Sequence, residues 1–100
     1  MLYLILGHDA ADALPRRKRA RPAHLERLRA LQAEGRLVLA GPRPKVDAGS
    51  PTEAGFHGSL IVAEFASLAA AEAWAAADPY ATEGVFERVE VQPFIKGFPE

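Results

Sequence analysis

Two short apolar runs limit what this chain can become. Strands are indicated at residues 2–8 ("LYLILGH") and 59–65 ("SLIVAEF"), and both carry large apolar side chains at both parities. Leu2, Leu4 and Leu6 stand against Tyr3 and Ile5, and Leu60 and Val62 stand against Ile61 and Phe65. Successive side chains of a strand point to opposite faces, so strands like these need apolar cover on both sides. With 100 residues the chain has room for one domain, residues 1–100, and one core. Helices of the chain can cover one face; a second copy packed sheet to sheet is the simplest cover for the other, which predicts a homodimer.

The remaining pattern supplies the helices. Residues 9–21 ("DAADALPRRKRAR") read as a charged loop without clean periodicity. Pro22 fits the first turn of a helix, where its missing N–H costs nothing, and Gly35 fits the position just past the end. Residues 36–42 ("RLVLAGP") form the second strand, and residues 43–58 a long polar loop. Ser67 caps a second helix that Pro79 stops near Asp78, and residues 85–94 make the last strand. The sum is β-α-β-β-α-β, an α+β ferredoxin-like fold with a four-stranded antiparallel sheet.

Composition narrows the partners. A net charge of −1 gives no field that draws nucleic acid or an anionic membrane. No apolar run approaches the roughly 20 residues that span a bilayer. With no cysteine there is neither a disulfide framework nor thiolate chemistry, and a cytoplasmic protein is expected. The basic run at residues 16–21 ("RRKRAR") has no nearby aromatics for base stacking, so it reads as a solvated loop rather than a nucleic-acid patch. One of its arginines is expected to turn toward a site and hold an anionic substrate, Arg21 being the better placed.

One histidine is out of place. Leu25, Leu28 and Leu31 define the inward stripe of the first helix, and His24 falls inside it while Arg27 points away. In the second helix Leu68, Ala71 and Ala75 share a face whose next member is Asp78. A carboxylate there lies toward the core at the negative end of the helix dipole. The right-handed crossover starts the first helix at the C-terminal end of the first strand, and the second helix ends at that same edge. His24 and Asp78 are therefore expected to meet within about 2.6–3.2 Å, with Asp78 fixing the imidazole tautomer and leaving the other nitrogen as a base. Asp9, Ser59 and Tyr80 are expected on the same rim. The alternative is a satisfied buried pair that only pins two helices together.

The string "RPAH", "EGRL", "AGP", "VAEF", "ADPY" and "VQPF" resembles the YciI family of YCII-related domains over nearly the whole chain. The histidine and aspartate of that pattern stand here as His24 and Asp78. The resemblance implies a ferredoxin-like fold dimerising into an α/β barrel, with the His–Asp pair as the active site. For one relative it implies removal of chloride from a chlorinated hydroxyquinol. Asp9 and Arg17 match positions that are usually polar in the family.

A metal site built from His8, His24, His57, Asp9 and Asp78 lacks any tight ligand spacing, so no metal is expected. No nucleotide-binding glycine loop, serine elbow or flavin signature is present, and no cofactor is expected. Two functions fit: an enzyme whose His24 abstracts a proton from a cyclic or aromatic enol-type substrate (a lyase, dehalogenase or isomerase), or a non-catalytic small-molecule binding module using the same pocket.

Overall fold

The two apolar runs become neighbours at the centre of one sheet. In the computed structural model, which describes residues 1–100, β1 (Leu2–Asp9) lies between β3 (Phe56–Glu64) and β4 (Phe86–Phe94), antiparallel to both. β2 (Leu37–Pro44) pairs antiparallel with the outer edge of β3, giving the order β2-β3-β1-β4. The helices are α1 (Leu14–Ala33), α2 (Leu68–Ala76) and the single turn α3 (Pro79–Thr82). This is the expected ferredoxin-like βαββαβ arrangement, with α3 added.

Register decides which side chains share a face. Tyr3 and Ile5 of β1 pair with Ala63 and Ile61 of β3, and all four join Leu31, Phe65, Ala71 and Ala75 in the main core. α1 and α2 thus cover that face, and the alanines of α2 let its backbone lie close to the sheet. A smaller core of Ala13, Ala20, Tyr80 and Val85 sits where the start of α1 meets α3. On the opposite face Leu2, Leu4, Leu6 and Leu60 are only half-buried, while Leu39 and Phe94 remain 49% and 37% exposed. His8 and Glu90 border this apolar surface with Nε2 and Oε2 2.7 Å apart, a hydrogen bond that holds the Glu90 carboxyl below its ordinary value.

Two helix boundaries differ from the sequence expectation, each for a local reason. α1 starts at Leu14, not Pro22, because Pro15 occupies the first turn, where it is tolerated. Pro22 lies inside the helix, where it cannot donate to the Lys18 carbonyl; it is exposed, so water can reach the gap. The basic run is therefore helical and not a loop. α2 ends at Ala76, and Asp78 is instead the N-cap of α3, its side chain accepting from the Tyr80 N–H at 2.9 Å. This puts the carboxylate at a helix start, where it is favoured. Leu68, expected inward, is 40% exposed at the first turn of α2.

Gly58 of β3 pairs with His8 of β1 and lies against the Gly7 carbonyl. A side chain at Gly58 would collide with the Gly7 carbonyl oxygen and come within 2.5 Å of the Arg43 guanidinium. Backbone cannot yield as a flexible side chain can. Gly58→Ala should cost about 3 kcal/mol or more, the upper end of overpacking penalties. Urea denaturation checks this; a loss below about 1 kcal/mol would mean that the strands part easily.

Candidate active site

The site lies at the edge that topology predicts, where β1 ends, α1 passes and α3 begins. His24 is 5% exposed and Asp78 2% exposed. Their Nδ1 and Oδ1 atoms are 2.8 Å apart. A carboxylate only accepts, so Nδ1–H donates to it and Nε2 keeps its lone pair. Nε2 has no protein partner, is not sealed from solvent, and belongs to a residue lining a cleft. The imidazole is stacked on Tyr80, ring centroids 3.8 Å apart and planes 10° apart, which fixes its orientation from the other side.

Asp78 is itself held. Oδ1 accepts from the Tyr80 N–H as well as from His24, and Oδ2 accepts from Arg27 Nη1 at 3.2 Å. Arg27 also donates to the Trp74 carbonyl at 2.9 Å and lies over the indole ring. Arg27 does not point away, as the simple helical wheel suggests; it reaches across to the end of α2. It stands three residues after His24, one turn along the same helix, and that spacing was the available signal.

A second carboxylate does the same for Arg17. Asp9 receives Arg17 Nε and Nη2 at 3.0 and 3.2 Å, in a two-bond fork that both side chains bury. Arg17 Nη2 also donates to Ser59 Oγ at 2.8 Å, and the guanidinium lies over Phe56 and Tyr80 at 4.5 and 4.8 Å. Burial pushes the Tyr80 phenol above its ordinary value, with Arg17 and Arg21 pulling partly back. The phenol is therefore a neutral hydroxyl at physiological pH.

His24, Arg21, Ser59 and Tyr80 line one cleft together with Arg17, closed by Leu25, Leu28 and the β2 residues 40–42. Asp78 stands behind His24. Asp9 stands behind Arg17 and does not line this cleft. An adjoining cleft shares Arg17, Arg21, Pro42 and Tyr80 and runs on past Lys18 and Phe56 to Pro51, Thr52 and Glu53. His8 is engaged with Glu90, His57 is exposed, and no three acidic or histidine side chains cluster as metal ligands.

A small α+β ferredoxin-like domain with a buried His–Asp pair opening on a cleft defines the class. The YCII-related domain pattern matches residues 1–95, and the chain belongs to that family. It is 57% identical over 98 residues to Protein YciI of Escherichia coli O6:H1, covering 98% of this chain and 100% of that one. A Haemophilus influenzae protein is 49% identical over 98 residues with the same coverage. Among solved structures, the fold superposes with a TM-score of 0.80 on 5-chloro-2-hydroxyhydroquinone dehydrochlorinase from Burkholderia phenoliruptrix AC1100, in complex with 2,5-dihydroxybenzoquinone. That enzyme is 28% identical, and the match covers 97% of this chain and 96% of the enzyme. No helix of the chain is long and apolar enough to cross a membrane.

Proposed function

We propose that this chain is an enzyme that abstracts a proton from a small cyclic enol- or hydroquinone-type substrate, with His24 Nε2 as general base and Asp78 as the group that positions it. The observation that carries this reading is the 2.8 Å Nδ1–Oδ1 contact, which leaves Nε2 unpartnered at the cleft. Likeness to a dehydrochlorinase supports a lyase-type outcome. In such a step the base takes a hydroxyl proton, and the ring ketonises by taking up a proton at the chlorine-bearing carbon. A second hydroxyl then gives up its proton as the carbon–chlorine pair leaves as chloride. The ring thereby reaches the quinone level with loss of HCl and needs no external oxidant. In this reading the Ser59 and Tyr80 hydroxyls meet the oxygen on which charge develops, supported by both residues lining the same cleft as His24. In an isomerase the same proton returns to another carbon.

The test is incubation with 5-chloro-2-hydroxyhydroquinone and with unchlorinated cyclic enols in deuterated water. Chloride release or carbon-bound deuterium, lost in His24→Gln, is the expected result. Binding without either would leave the second reading, a non-catalytic small-molecule module; the three-fold anchoring of Asp78 and His24 by Arg27, the Tyr80 N–H and the Tyr80 ring is the observation that favours it.

The working form in this proposal is a homodimer joined through the half-buried leucine face of the sheet. Sedimentation at micromolar concentration should show a dimer, and Leu4→Glu should turn it into a monomer. A wild-type monomer would remove this part of the proposal and leave the cleft untouched.

A further inference from the structure

Charge around the cleft is balanced at every group but one. Arg17 is matched by Asp9 in a buried fork. Asp78 is matched by Arg27 and bonded to His24. Lys18 reaches Glu53 at 3.3 Å across the mouth of the adjoining cleft. Arg21 makes no hydrogen bond and no ion pair, yet it lines both clefts and its charge is felt by the Tyr80 phenol. It stands four residues after Arg17 and three before His24, so all three share one edge of α1, with Arg21 about 5–6 Å from its neighbours at the Cβ level.

Arg17 is the poorer anion seat, with only Nη1 left uncommitted. Its Nε and Nη2 are committed to Asp9 and Ser59, and its flat faces cover Phe56 and Tyr80. Arg21 keeps all five N–H donors free. The walls between Arg21 and His24 are flat or apolar: the Tyr80 ring, Pro42, Leu25 and Leu28. A ligand that fills this space and neutralises the cleft is planar and carries one oxyanion.

We propose that the substrate is a monoanionic ring compound whose carboxylate, or equivalent ionised oxygen, is held by Arg21 while the proton that His24 takes lies across the ring. The proposal rests on the reading of His24 as a base for the position of the second group only; the anion seat itself does not depend on proton transfer.

The experiment is calorimetric titration of the ortho, meta and para hydroxybenzoates against the matching hydroxybenzamides, which keep shape and lose charge. Wild type should bind at least one hydroxybenzoate about tenfold tighter than its amide, the size expected of a charge-assisted pair near solvent. The preference should vanish in Arg21→Gln, return in part in Arg21→Lys, and weaken with added salt. It should persist in His24→Gln, where turnover is lost. Equal binding of acid and amide, no binding of any of the six at millimolar concentration, or a preference that survives Arg21→Gln would overturn the proposal. Full turnover in His24→Gln with the preference intact would instead remove the base and leave the anion seat standing. Arg21 is exposed and unpartnered, so its variants should fold as wild type does.

Discussion

Replacing His24 with glutamine should lower turnover at least about 100-fold while the chain stays folded, because general-base catalysis is worth 10²–10⁴. Glutamine can donate to Asp78 from its amide but offers no basic lone pair to the cleft. Asp78→Asn should move turnover the same way. With its amide oxygen toward His24 and the Tyr80 N–H, asparagine turns its NH₂ against the Arg27 guanidinium, donor against donor. Flipped, it presents that NH₂ to Nδ1 and forces the tautomer that puts hydrogen on Nε2. Either arrangement also removes the negative charge that steadies the imidazolium. Full activity in a folded His24→Gln chain would reduce the pair to a structural pin.

The largest effect on stability is expected at Arg17. Its side chain and that of Asp9 are 7% and 5% exposed, so Arg17→Met leaves a carboxylate buried with both its guanidinium bonds gone. Removing one partner of a buried pair typically costs 3–5 kcal/mol. Asp9→Asn combined with Arg17→Met should be milder than Arg17→Met alone, since no charge then remains in the interior. Urea unfolding of the three variants reads this directly. A loss below about 1 kcal/mol in Arg17→Met would show that water reaches Asp9 and that the pair is a surface one in energy.

Arg17 also explains where the sequence misleads. The strands, the Ser67 cap and the meeting of His24 with Asp78 follow from parity, capping and crossover handedness, all of which act locally or through topology. The first two turns of α1 do not follow, because their buried positions are an arginine and a small alanine, Arg17 and Ala20, and apolar periodicity marks neither. The Arg17 partner, Asp9, lies on another element and is adjacent only once β1 and α1 have packed. Residues 17, 24 and 31 do recur at intervals of seven, and all three are buried; the stripe is continuous, but two of the three are polar. Asp78 misleads in the opposite way. At the end of α2 it looks misplaced, and the proline after it is what opens the new turn that the carboxylate caps.

The strand order has a bearing on how such a site comes into being. Each half of the chain is a β-α-β unit, yet β1 from the first half sits between β3 and β4 from the second. Neither half can complete its own hydrogen-bonded ladder, so the two are interleaved rather than joined end to end. The dyad spans 54 residues of sequence and the Arg17–Ser59 bond spans 42. Loop closures of that length precede any reward, which places the cleft among the last features to form and ties its integrity to global rather than local unfolding. A ligand seated there draws on both halves at once, and its binding energy is returned as protection of the whole sheet against opening.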